Sequence, residues 1–288
     1  MKESASQGRS GAGGAQGPPG GIGGDGAAPG PATVASPPRR PPRTAVLTCA
    51  VLEDEIAQLR EGLDHIVLVE ILQQGLHNTP DELRRRLQAA IEQVETTTDA
   101  EVIVLGYGLC SRGIEGLHTT RCTLVVPRAH DYITLLLGDK DRYARYVAEH
   151  PGTYWYSVGW NRHTQMPGRE RYEQRLAEYR EKYGEDNAAY LMETEQHWFK
   201  TYRRASFVDL TVGESGANRE AAAFTQRCAA WLDWDFDHQQ GDPDLVRALL
   251  DGRWDDERFL VLPPGQTPRL TADDRIIEAC PVEASDEA

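Results

Sequence analysis

Four short aliphatic runs, separated by stretches of helical periodicity, limit how this chain can fold. They are Ala45-Val-Leu-Thr-Cys49, Ile66-Val-Leu-Val-Glu70, Val102-Ile-Val-Leu-Gly106 and Leu124-Val-Val-Pro127. Unbroken aliphatic character predicts strands covered on both faces. After the first run, Leu52, Ile56, Leu59 and Leu63 recur at helical spacing, and before the third Leu83, Leu87, Ile91 and Val94 do the same. Thr79 is predicted to N-cap that second helix, with Pro80 at its first position and Glu82 closing a capping box. Arg84, Arg85 and Arg86 fall mostly on its solvated face. Strands alternating with helices imply parallel pairing through right-handed crossovers. The expected fold class is therefore α/β: a doubly wound, mostly parallel, Rossmann-like sheet with flanking helices.

Further along, a helix is expected over Tyr132–Ala148, and Thr153–Trp160 reads as an aromatic-rich strand after the Pro151-Gly152 break. A long charged helical region, roughly 169–203, is predicted to be interrupted near Gly184. Its Tyr172, Leu176, Tyr179 and Tyr183 recur at helical spacing, as core-packing residues do. Alternation then resumes with a strand at 206–210, a helix at 217–232, a short strand near 234–237 and a helix at 243–251. A strand at 258–262 and the run Arg275–Cys280 follow. The expected organisation is a Gly/Pro-rich tail (1–43), an N-terminal α/β half carrying the site (44–160), a helical connector (161–205) and a C-terminal α/β half (206–288).

The tail holds eleven of the 27 glycines and eight of the 17 prolines, and no aromatic residue. Such a segment buries too little apolar surface to offset its ordering entropy, so disorder is expected. Arg39-Arg40 is not followed by the apolar stretch a twin-arginine signal needs. The tail carries five basic and two acidic residues, so the remainder bears a net −17 against −14 for the chain. That acidity argues against nucleic acid and anionic membrane surfaces as partners. Five cysteines without a C-x-x-C pair read as free thiols, and a cytoplasmic location is expected.

The strands end on chemistry. In open α/β sheets ligands bind beyond the carboxyl ends of the strands, so residues there converge. Cys49 ends the first run and Glu70 the second. Cys110 follows the third across the Gly106-Tyr-Gly108 turn, and His130-Asp131 follow the fourth. A thiolate at Cys49 or Cys110 is a candidate nucleophile, proton-transfer base or soft metal ligand. His130 and His77 are candidate metal ligands or proton carriers. Gly106 and Gly108 would let a ligand approach the backbone, and Arg128 is placed to hold an anion. Glu70 is too costly to bury unpaired and is a candidate acid–base group. Asp131 is expected to cap a helix. Cys122 and Cys228 read as core residues, with Cys280 a remote contributor. Gly213–Asn218 is a weak candidate anion loop at a helix N-terminus. Asp209, Asp233, Asp235 and Asp237 stand near strand ends but fit no cation-binding spacing.

Gln74-Gly-Leu-His77 with Thr79-Pro80, Gly106-Tyr-Gly-Leu-Cys110, Pro127-Arg-Ala-His-Asp131 and Pro151-Gly-Thr-Tyr154 with Gly159-Trp160 together resemble a prokaryotic domain-of-unknown-function family, number 1638. The resemblance covers roughly residues 45–210. It implies a shared site and hints at a link to corrinoid-dependent methyl transfer. It also implies a cysteine after His130-Asp131, where this chain carries Tyr132. Three functional classes stay open at this point. The leading one is a protein binding a zinc-like metal, or a metal-containing cofactor, through Cys49, Cys110, His130 and His77. The second is a metal-free, racemase-like enzyme using Cys49 and Cys110 on a small carboxylate. The third is a non-catalytic protein that carries a cofactor for a partner. A protein partner or a second copy of the chain is compatible with each.

Overall fold

In the computed structural model, residues 40–110, 112–210 and 216–282 are described. Residues 1–39 of the tail and most of the proposed anion loop, Gly213–Ser215, lie outside them. β1 (Thr44–Cys49) leads through a 3-10 turn at Ala50–Leu52 into α1 (Glu53–Leu59), then β2 (Ile66–Leu72). After α2 (Pro80–Thr97) come β3 (Val102–Gly106) and β4 (Thr123–Pro127). These four strands are parallel, in the order β2-β1-β3-β4. β8 (Phe259–Leu262) closes the sheet antiparallel to β4. The fold is thus mixed α/β with a mostly parallel central sheet and helices on both faces.

The strand order departs from the 3-2-1-4 arrangement of dinucleotide-binding sheets, so the Rossmann-like expectation is not supported. It reverses between β1 and β3 instead. Beyond the carboxyl ends of those two strands the connecting chains diverge and leave a crevice.

Both faces of the sheet are sealed over β1, β3 and β4, whereas β2, at the sheet edge, is only partly buried instead of covered on both faces. On one face Leu83, Leu87, Ile91 and Val94 of α2 pack against Leu47, Ile103, Leu105 and Val126. On the other, Val46, Val104 and Val125 meet Ile56 of α1, Ile133, Leu135 and Leu136 of α3 (Tyr132–Leu137), and α9 (Asp244–Asp251). A fully buried aliphatic side chain contributes roughly 1.5–3 kcal/mol, so the period of these residues dominates any single polar contact.

Local details differ from the sequence expectations for identifiable reasons. Thr79 does stand at the N-cap of α2, but no capping box forms, because Glu82 is held by Arg85 (2.6 Å) and Arg86 (2.8 Å). The predicted helix 132–148 is two helices, α3 and α4 (Lys140–Glu149), broken at Gly138. Gly138 takes a left-handed backbone, and a Cβ there would press on Asp242. The aromatic strand is shorter than expected. β5 ends at Tyr156, and Ser157 caps α5 (Val158–His163) by accepting a hydrogen bond from the Trp160 amide. Trp160 is therefore helical. The interruption at Gly184 separates α6 (Arg169–Tyr183) from α7 (Glu185–Phe199).

A second, three-stranded parallel sheet comprises β5 (Thr153–Tyr156), β6 (Arg204–Asp209) and β7 (Asp235–Gln240). α8 (Gly216–Leu232) covers it, with Ala221, Cys228 and Ala229 against Tyr156 and Phe207. β9 (Gln266–Leu270) and β10 (Ile277–Pro281) form a hairpin. The sheets do not follow chain order: β5 joins the later strands, while β8 returns to the first sheet. All described residues fall in one compact unit, and none of its helices is long and apolar enough to cross a membrane.

The tightest helix-to-turn approach is α5 on the 3-10 turn, where a Cβ on Gly159 would collide with the Val51 carbonyl. Gly159→Ala is expected to lower the unfolding free energy by about 1–3 kcal/mol in urea titrations. Gly216→Ala, which points into open space, should leave it nearly unchanged.

Candidate functional site

The crevice at the strand reversal contains a small cavity lined by Cys49, Gln73, Leu76, His77, Gly106, Tyr107, Cys110 and Tyr132, with Val51 and Leu83 behind them. It offers about 30 Å³ to the centre of a water-sized molecule. That is room for the reacting end of a small molecule, on the order of two or three heavy atoms.

Its geometry follows from how the third and fourth strands end. Leu109 donates its amide hydrogen to the Ala129 carbonyl (2.7 Å) and Cys110 donates to that of His130 (3.3 Å). The two connections are thus joined backbone to backbone. A Cβ on Gly108 would lie 2.8 Å from the Asp131 backbone, so only glycine permits this approach. Cys110 has a φ of 45°, a left-handed conformation that non-glycine residues seldom adopt. At Gly106 the close neighbour is Thr48, whose hydroxyl donates to the Gly106 carbonyl (3.3 Å). Both glycines therefore have packing roles, and only Gly106 lines the cavity.

Asp131 caps α3, its Oδ1 accepting from the amides of Ile133 (3.0 Å) and Thr134 (3.3 Å). Its Oδ2 accepts from the Tyr143 hydroxyl (2.9 Å). That cap fixes where α3 begins and so places Tyr132 in the cavity wall. Tyr132 stacks on Trp160 with ring centroids 4.9 Å apart, and His77 stacks on Trp160 at 5.7 Å.

The polar groups of the cavity are neutral at ordinary pH. Burial pushes the Cys110 thiol up to about 12, with further contributions from Cys49 and Asp131. Burial also raises the Cys49 thiol. The His77 imidazole is held below its usual value by burial, which favours the uncharged ring. Burial and the nearby thiols hold the Tyr107 phenol protonated. The Tyr107 residue is only 4% exposed, and its hydroxyl lacks a hydrogen bond of good geometry among the described residues. The Cys49 thiol is its polar neighbour.

Of the residues singled out from sequence, Cys49, Cys110, His77 and Gly106 meet here, and Glu70, His130, Arg128 and Gly108 do not line the cavity. β2 runs on to Leu72, so Glu70 is mid-strand opposite Leu47 and Gln73 takes the strand end. His130 is exposed. Arg128 is buried but fully engaged. It bonds the Asp256 carbonyl (2.8 Å) and carboxylate (3.0 Å), the Arg275 carbonyl (2.9 Å) and the Ile277 carbonyl. Its guanidinium ties β10 and the loop before it to β4 instead of holding an anion. Cys122 is core and donates to the Ala100 carbonyl, and Cys280 lies in the β9–β10 hairpin. Gln73, Tyr107 and Tyr132 were missed as site residues. Tyr107 lies inside the Gly106-Tyr-Gly108 turn, between two glycines whose spacing carries no signal for a phenol.

These residues do not fit the zinc-like site. Among the described residues no group of three or more His, Cys, Asp or Glu side chains is arranged to hold a metal ion. His130 turns outward, and at position 132, which does face the cavity, a phenol stands where the family resemblance implied a thiol.

The thiolate is the reactive form of cysteine, so iodoacetamide should label Cys110 far more slowly than an unfolded thiol at neutral pH. The labelling rate, followed by mass spectrometry, should rise about tenfold per pH unit toward pH 12. Rapid labelling near neutrality would contradict the burial described. Because the folded thiol resists ionising, its contribution to stability is complete below about pH 9 and is lost as pH rises from there to about 12.

A family model described as "Protein of unknown function (DUF1638)" matches residues 71–250. No curated protein and no solved structure gives a significant match. The matched span runs from the end of β2 to α9, and takes in every cavity residue except Cys49 and Val51. It covers well over half of the chain, which therefore belongs to the DUF1638 family.

Proposed function

We propose that this protein is an enzyme that moves a proton at a carbon beside an uncharged carbonyl group of a small molecule, without a metal. One observation carries the reading. An imidazole, two thiols and a buried phenol hydroxyl without a well-formed hydrogen bond line one cavity at the strand-order reversal.

The protonation states assign the roles. His77 is uncharged and is the ready base at neutral pH. Cys49 and Cys110 are protonated, and one of them returns a proton to the carbon; the thiolate left behind then takes up the proton held by His77, which restores both groups. The Tyr107 hydroxyl donates to the carbonyl oxygen as negative charge develops there. An oriented donor in a dry site needs no reorganisation in the transition state. The stack on Trp160 holds the His77 ring in place. Among the described residues no Arg or Lys lines the cavity, so a substrate carboxylate would find no counter-charge among them. An uncharged carbonyl compound suits the site better.

The test is deuterium exchange into small aldehydes, ketones, esters and amides, followed by NMR. Exchange should survive chelators and stop on alkylation of either thiol. Cys110→Ala and His77→Ala should each abolish it. Tyr107→Phe should slow it by about 10²–10³-fold while leaving stability equal or higher, since it removes an unsatisfied polar group. The rate should form a broad plateau. It should fall on the acid side as His77 protonates below its usual range, and on the alkaline side as the thiols ionise. Exchange lost on chelation, or unaffected by alkylation, would overturn the assignment.

A further inference from the structure

A larger cavity of about 350 Å³ opens on the other side of α1, between that helix, α5, the end of β6 and the start of α8. Val158, Val208 and Leu210 form its apolar wall, facing Asp54, Glu55 and Arg162. Glu55 is only 9% exposed, and its Oε2 has no hydrogen-bond partner among the described residues. Asp54 gives Oδ1 to Arg162 (2.8 Å), which leaves Oδ2 buried and equally without a partner. Two adjacent side chains that line the cavity thus each hold a buried carboxylate oxygen without a hydrogen-bond partner among the described residues. Such oxygens cost free energy unless something donates to them.

We infer that this cavity is a second ligand site, and that it takes a small primary amine in its protonated form. An ammonium group carries three donors and no acceptor, so it can satisfy the unpartnered Glu55 oxygen once that side chain turns into the cavity, with Asp54 adding negative charge beside it. A short alkyl body then covers Val158, Val208 and Leu210. The titratable groups around Glu55 favour a cation. Asp54 of α1 and Glu61 in the turn after it are acidic, Arg162 of α5 is taken up by Asp54, and the described lining residues of β6 and α8 are uncharged. Burial, with Asp54 beside it, pushes the Glu55 carboxyl up to about 7. A bound ammonium would displace that proton, so affinity should increase as pH rises through this region.

Isothermal titration of the full chain with butylammonium chloride at pH 6, 7 and 8 tests the site, with sodium chloride and butanol as controls. Saturable binding of butylammonium alone is expected, tighter at pH 8 than at pH 6. Glu55→Gln should weaken it by about tenfold or more and remove the pH dependence, and Asp54→Asn should weaken it as well. Thermal unfolding of both variants shows that they are folded. No saturable binding to the wild type, equal binding by Glu55→Gln, or equal binding of butanol would each overturn the proposal. Since this cavity shares no lining residue with the thiol cavity, failure here is independent of the exchange assay.

Discussion

The structure around the site depends on one close approach, that of the 107–110 turn to the 129–131 segment. Two backbone hydrogen bonds join them, and Gly108 leaves no room for a side chain between. The approach sets the left-handed backbone at Cys110 and turns that thiol into the cavity. It also anchors the start of α3, where the Asp131 cap orders the first turn and positions Tyr132. Unpaired backbone donors and acceptors at strand ends are costly once buried. Here the two loops satisfy each other, and the site is the space they leave over β1.

Charge is kept out of that space although the chain is strongly acidic. Arg128, at the end of β4, is diverted to the loops before β8 and β10. Arg85 and Arg86 are held by Glu82 on the outer side of α2, and Arg84 turns to the carbonyls of Arg112 and Glu115. What remains at the cavity are groups that burial holds neutral, namely thiols, imidazole and phenol. The absence of a nearby cation is what separates these cysteines from activated nucleophiles, whose thiolates are stabilised by positive neighbours. It favours proton exchange with the substrate over covalent attack.

The short connection after β1 links the two cavities. Cys49 faces one, and the 3-10 turn that follows delivers Asp54 and Glu55 to the other. α5 packs on this same turn through Gly159, so Trp160 and Arg162 of that helix are positioned by one contact.

Much of the fold was legible from residue spacing alone. Aliphatic runs and the Leu83–Val94 stripe locate the buried strands and α2, because burial on both faces leaves no other pattern. Of the thiols read at strand ends, Cys49 and Cys110 line one cavity beyond β1 and β3. What spacing could not resolve was the competition among local partners. Glu82 prefers two arginines to the capping box, Gly138 breaks a helix that its flanks would continue, and β2 outlasts Glu70 by two residues. Tertiary structure alone decided that His130 turns outward, that Arg128 is consumed in packing, and that Tyr107 and Tyr132 join Cys49, Cys110 and His77. By itself the sequence determined which residues of β1, β3, β4 and α2 must be buried, since that follows from hydrophobic period, whereas the stripe Tyr172, Leu176, Tyr179 and Tyr183 has the same spacing and none of it is buried. Which polar residues face one another depends on strand order and on backbone contacts between distant loops, and those exist only once the chain has folded.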